Sequence, residues 1–221
     1  MLLLAVDTSG RNGSLALARA DGSAVEVVEE VALAGSNFSV QLVPQTAALL
    51  RKHGYSKNDL TGFAAVSGPG SFTGLRVGLA AIKAFAEILQ KPIAAVSLLE
   101  AVARSGATEG RVFSLLDAGR GDLYVGDYAV GLIRLHSERL LSREEFLAEN
   151  KSQLAITTDA SIAEFVRSSG FEVKLVPHPP GGDIARFGWE RIQRGETVLP
   201  ENLEANYLRR SDAEIFSKLT P

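Results

Sequence analysis

The stretch at residues 66–78 reads VSGPGSFTGLRVG, four glycines and a proline between an apolar run and a helical pattern. Loops of this composition often cradle phosphate, so the spacing decides what chemistry is available. A P-loop needs G-x-x-x-x-G-K-[ST], whose lysine reaches the terminal phosphates. Here Gly70 is followed by Ser71, Phe72, Thr73, Gly74 and Leu75, with no lysine in place. The dinucleotide fingerprint needs G-x-G-x-x-G, and Gly68, Gly70 and Gly74 are spaced one residue too long. What remains is a generic anion site at a helix N-terminus, where unpaired N–H groups and the macrodipole favour negative charge. A second set, Asp7-Thr8-Ser9 and Asp117, heads two polar turns, and two such carboxylates can hold a metal-bound nucleotide. The same aspartates suit a plainer task, accepting backbone N–H bonds within their own turns, and that reading is preferred. His53, His136 and His178 stand in separate segments with no H-x-x-x-H or H-E-x-x-H spacing, and cysteine is absent. Neither a zinc site nor a thiolate nucleophile is indicated.

These residues need elements to place them. Pro69-Gly70 suits the centre of a type II turn, and Ser71 suits the N-cap of a helix over 71–90. Along that helix Gly74, Gly78 and Ala81 leave one face nearly bare, beside an apolar face of Leu75, Leu79, Ile82, Ala86 and Leu89. Glycine inside a helix costs roughly 0.5–1 kcal/mol relative to alanine. Two on one face predict that another backbone comes close, either the chain's own sheet or a helix of another protein. The preceding helix, about 39–53, is also apolar on more than one side, with Leu42, Thr46 and Leu49 on one and Val43, Ala47 and Leu50 on another. Pro44 predicts a late start or a kink in it. A surface helix needs a single apolar stripe, so the surplus reads as an association face. Its expected residues are Leu42, Val43, Thr46, Leu49, Leu50, Gly74, Leu75, Gly78, Ala81 and Ile82.

The rest of the chain reads as a repeat. Strands at 2–6, 13–20 and 24–33 form a meander. The helix near 39–53, a strand at 62–67, the long helix, a strand at 92–97 and a helix at 98–105 follow. The order then recurs: strand, Asp-led turn and strand over 112–129, a strand over 131–140, a helix at 142–150, a strand at 153–157, a helix at 160–169, a strand at 171–176 and a helix at 183–194. Two tandem βββαβα units, a mixed α/β fold, are the expectation. The tail, 201–221, reads as an irregular segment with a short helix. The 221 residues are 46% hydrophobic with a net charge of −3, a globular balance without the basic stripe of a protein that holds RNA unaided. The lack of cysteine suits a reducing cytoplasm. Asp7 interrupts the apolar opening, so neither a signal peptide nor a membrane span is expected there.

At the glycine loop the sequence resembles a known family. GPGSFTGLRVG (68–78) is similar to the signature of TsaB, also called YeaZ, and AVDTS (5–9), LLDAGRGDLYV (115–125) and NYLRR (206–210) resemble its other typical stretches in the same order. The resemblance covers the whole chain. It implies an actin-like (ASKHA, ribonuclease H-like) fold, with an N-terminal lobe over 1–105 and a truncated C-terminal lobe over 106–221 whose tail packs back on the first. It implies a non-catalytic scaffold subunit in tRNA N6-threonylcarbamoyladenosine (t6A) modification. The implied partners are the catalytic paralogue TsaD, met through the N-lobe helices, and the ATPase TsaE; alone, the family tends to form homodimers. ATP and threonylcarbamoyl-AMP are used by the partner complex, tRNA is met only there, and no cofactor or metal belongs to this chain. Asp7, Thr8, Ser9 and Asp117 then mark a vestigial nucleotide site, the competing reading being a kinase-like phosphotransferase or ATPase. One departure stands out. Where the family's first helix often opens with His-Ser-Glu, this chain has Phe38-Ser39-Val40.

Overall fold

The first strand, β1 (Leu2–Asp7), is apolar at every position but its last and is buried throughout. A strand of that composition has to be covered on both faces. The computed structural model, which describes residues 1–35, 37–131 and 134–209, provides both covers. β1 pairs antiparallel with β2 (Gly13–Asp21), which pairs with β3 (Ala24–Leu33), while β4 (Gly62–Gly68) and β5 (Ile93–Ser97) run parallel on its other side. The sheet order is β3-β2-β1-β4-β5. Leu2, Leu4 and Val6 face a core shared with α1 (Phe38–Lys52) and α2 (Phe72–Leu89). Leu3 points the opposite way, into a cluster with Trp189 and Ile192.

Those two residues belong to α6 (Gly181–Gln193), which packs across β1, β2, β4 and β5. The approach is close: a Cβ at Gly188 would lie 2.3 Å from that of Ala64. The N–H groups of Gly181 and Gly182 donate to the Glu30 carboxylate at 2.8 and 3.0 Å, an anion at a helix N-terminus. The chain therefore divides differently from the expected 1–105 and 106–221. The first compact unit is Met1–Ala101 with Pro179–Asn206, and the second is Val102–His178 with Tyr207–Pro221. The boundary falls inside α3 (Leu98–Gly106). Residues 179–206 join the first unit because the second face of its sheet needs a cover.

The second unit repeats the plan. β6 (Gly110–Gly119), β7 (Asp122–Val130) and β8 (Arg134–Ser142) form the antiparallel part, and β9 (Leu154–Thr157) and β10 (Val173–Leu175) add in parallel, in the order β10-β9-β6-β7-β8. Read from either chain start, the first strand lies between the second and the fourth in both sheets. α4 (Arg143–Leu147) and α5 (Ala160–Ser168) contribute Phe146, Ile162 and Val166 to a core with Phe113, Leu115 and Phe171. Phe146 packs edge-on to Phe113, with ring centroids 5.6 Å apart, and stacks on Phe171 at 5.0 Å. Asp159 caps α5 by accepting from the N–H groups of Ser161 and Ile162. The expected tail helix and the basic residues Arg210 and Lys218 lie outside the described residues.

Candidate association face

The polar turn after β1 is buried, with Asp7, Thr8 and Ser9 all 3% exposed or less. The Asp7 carboxylate accepts from the Ser9 N–H at 2.8 Å and from the Ser9 hydroxyl at 2.6 Å. Its counterpart Asp117, in the second unit, accepts from the Gly119 N–H at 2.9 Å. Each aspartate thus bonds the turn it heads, the local arrangement of an Asx turn.

The glycine loop serves this turn. Ser71 N–H donates to the Ser9 carbonyl at 2.6 Å. A Cβ on Gly70 would stand 2.5 Å from that same oxygen, and one on Gly74 would stand 2.1 Å from the Thr8 carbonyl. At Gly78 it would meet the Thr8 hydroxyl at 2.2 Å. The bare stripe of α2 is a socket for Thr8, so the close backbone expected from the two glycines is the chain's own. Ser71 caps α2 as expected, accepting from the Gly74 N–H. The turn type differs from expectation: the left-handed residue is Gly68, φ +122°, the Gly68–Pro69 bond is cis, and Gly70 is not left-handed. Gly68 lies under the C-terminal segment, where Asn206 N–H donates to the Ser67 carbonyl at 2.7 Å.

Most of the residues expected at a partner interface are interior. Leu42, Thr46, Leu49, Leu50, Leu75 and Ile82 are 4% exposed or less, and Gly74 and Gly78 are buried against Thr8. Of the ten, Val43 is exposed at 52% and Ala81 is half-buried. The face that α1 turns outward is carried by a second set: Val40 (69% exposed), Val43, Pro44, Ala47 and Ala48. These follow the i, i+3, i+4, i+7, i+8 spacing of a single stripe. On α2, packed beside α1, the matching stripe is Val77, Ala80, Ala81, Ala84 and Ile88, with Ile88 71% exposed. Both sets are apolar, and so are the buried ones apart from Thr46, whose hydroxyl donates to the Leu42 carbonyl. Periodicity alone cannot say which stripe of such a helix meets the sheet.

Two local details set the helix ends. Phe38, standing where the family often has histidine, is 2% exposed and its ring packs against Gly13 and Gly74. α1 starts there, not later as Pro44 suggested, and Pro44 sits within it. At the far end Glu29 accepts from Lys52 at 2.7 Å and pairs with His53 at 2.6 Å. Hydrogen bonds from Lys52, then His53, hold the Glu29 carboxyl below its ordinary range. In the second unit Arg209 bonds the Gly119 carbonyl at 3.0 Å and pairs with Asp122, and burial pushes the neighbouring Tyr124 phenol up. Among the described residues no group of His, Asp and Glu is placed to hold a metal ion, and no helix is long and apolar enough to cross a membrane.

Two sheets of identical strand order, each flanked by helices, define a duplicated actin-like, ribonuclease H-like α/β protein. Residues 8–173 match the family described as TsaD, tRNA N6-adenosine threonylcarbamoyltransferase. The chain is 31% identical to the tRNA threonylcarbamoyladenosine biosynthesis protein TsaB of Bacillus subtilis, covering 97% of this chain and 96% of that one. It is 28% identical to the TsaB of Escherichia coli, over 96% of both. A solved Pseudomonas aeruginosa protein, described as uncharacterized with similarity to peptidase YeaZ, superposes with a TM-score of 0.77 at 28% identity, covering 94% of this chain and 99% of its own. The chain belongs to the TsaB (YeaZ) family.

Proposed function

We propose that this chain is a non-catalytic subunit of the machinery that makes threonylcarbamoyladenosine in tRNA. Its role is to dock on a TsaD-type transferase through the outward faces of α1 and α2. ATP and threonylcarbamoyl-AMP are consumed by that partner and by TsaE, and this chain brings no cofactor or metal of its own. The observation that carries the reading is the paired apolar stripe, Val40, Val43 and Ala47 beside Ala80, Ala84 and Ile88. Contiguous exposed apolar surface on two neighbouring helices marks an association site. The non-catalytic assignment is supported by the use of Asp7 within its own turn and by the lack of a lysine in the glycine loop.

The double variant Val43→Asp/Ala84→Arg places charges at the centre of the face, where truncating a buried anchor costs about 2 kcal/mol or more. Binding to the TsaD of the same cell should weaken at least thirtyfold by calorimetry, with the thermal midpoint unchanged and t6A lost from cellular tRNA. Unchanged affinity would place the contact elsewhere. Purified alone, the chain should neither turn over ATP nor modify tRNA. Steady hydrolysis abolished by Asp7→Ala would revive the kinase-like reading.

A further inference from the structure

The turn that joins β1 to β2 holds a pair of residues whose chemistry the docking role does not use. Asn12 is the one asparagine of the chain that is followed by glycine. It is exposed and stands just outside β2, which begins at Gly13. Its carboxamide makes no hydrogen bond among the described residues. Gly13 is fixed by packing, because a Cβ there would lie 2.5 Å from the Asp7 carbonyl oxygen and 2.9 Å from the Phe38 ring. Glycine therefore holds position 13 for the sake of the core, and the residue before it decides how durable the pair is. With no Cβ, glycine puts nothing in the way of ring closure onto its own nitrogen. Exposed turns of small polar residues are also where a chain is most open to alteration.

We propose that Asn12–Gly13 is a site of spontaneous deamidation, with water as the co-reactant, and that the product loosens the start of α2. The Gly13 backbone nitrogen attacks the Asn12 side-chain carbonyl carbon. The new bond closes a cyclic imide, and the amide nitrogen leaves as ammonia with the proton that Gly13 gives up. Water then opens the imide. Cleavage at the side-chain carbonyl gives aspartate, and cleavage at the main-chain carbonyl gives isoaspartate, in which the backbone runs through the side chain. Isoaspartate adds one backbone bond, about 1.5 Å, and a carboxylate. β2 cannot slide to absorb it, because Gly13 is seated under Asp7 and Phe38 and Ser14 pairs with Asp7. The extra length falls on residues 8–12, where the Ser9 carbonyl accepts from Ser71 N–H at 2.6 Å and Thr8 fills the socket of Gly74 and Gly78. Asp21–Gly22 could form the same imide, but the Gly22 carbonyl is held by the Trp189 indole at 2.8 Å. An ionised carboxylate is also a poorer electrophile than a carboxamide.

The purified full chain, kept at mildly alkaline pH, is digested at intervals with Asp-N protease, which releases residues 7–20. That peptide should gain the mass difference between an acid and an amide. Its rate should be at least tenfold that of the peptides holding Asn37, Asn58, Asn150, Asn202 or Asn206. Isoaspartyl methyltransferase should then methylate the aged chain in proportion to its deamidated fraction, and Asn12→Gln should abolish that acceptance. The aged parent should melt below its fresh counterpart, whereas aged Asn12→Gln should not. A rate more than tenfold below that of the same chain in urea would show that the folded turn shields the pair, and the site fails. Faster change at another asparagine would overturn the assignment as well. An unchanged melting midpoint in chain largely converted to isoaspartate would refute the loosening of α2. None of these readouts involves TsaD, so the docking role stands or falls separately.

Discussion

A glycine inside a helix reads as a place where something comes close, and the residue scale shows what. Gly78 faces the Thr8 hydroxyl and Gly74 the Thr8 carbonyl, a difference that an experiment can separate. Gly78→Ala should cost about 1–3 kcal/mol through overpacking. Thr8→Ala removes the hydroxyl that the new methyl would strike, so the double variant should recover more than 1 kcal/mol of that loss by urea denaturation, a coupling typical of touching residues. Gly74→Ala meets backbone, and no change of the Thr8 side chain should rescue it. Additive costs at positions 8 and 78 would show that Thr8 is not the obstacle. The sequence made the close approach legible through two glycines four residues apart. It did not reveal that the approaching backbone is 66 residues upstream of Gly74, because a bare stripe carries no mark of what fills it.

At the scale of elements, nearly every strand and helix was legible, the helices from a period of 3.6 and central strands such as β1 and β4 from short unbroken apolar runs bounded by turns. The faces were less so. α1 offers two apolar stripes, and Leu42 and Leu49 were no different in type from Val40, Val43 and Ala47 until the sheet chose between them. The end of that helix carries a titratable tie to β3. Hydrogen bonds from Lys52 and then His53 lower the Glu29 carboxyl in the folded state, so the tie contributes fully above the unfolded value, about 4.3. It is lost as pH falls through the lower folded value. Glu29→Gln should therefore melt earlier than the parent at neutral pH, with the difference shrinking below about pH 4. A constant gap across that window would assign the effect to packing. In the second unit, Asp159→Ala removes the cap of α5 and should cost about 1 kcal/mol by chemical denaturation, whereas Asp159→Asn, which still accepts, should cost less.

The whole molecule shows what linear reading misses. The first unit is closed by α6, some ninety residues beyond β5, and no local signal tells a helix which of two similar sheets it will cover. Residues 1–101 alone lack the cover for Leu3 and Ala64, so that fragment should fail to give a cooperative melt. A cooperative one would show that α6 is dispensable. Charge is also read at this scale. Acidic residues outnumber basic ones by 26 to 23, and Arg209 is engaged by Asp122. Because affinity for nucleic acid comes largely from neutralised phosphates, the isolated chain should bind tRNA weakly at about 150 mM salt. A tight, salt-sensitive gel shift would contradict this.

α6 also carries the chain's single tryptophan. The Trp189 indole is 6% exposed and donates to the Gly22 carbonyl at 2.8 Å, wholly within the first unit. The second unit has tyrosines but no indole. Intrinsic emission excited at the red edge is therefore a label, already in place, on one half of the molecule. Far-ultraviolet circular dichroism sees the backbone of both. Any gap between the two melting curves measures how separately the halves come apart, without a single added dye.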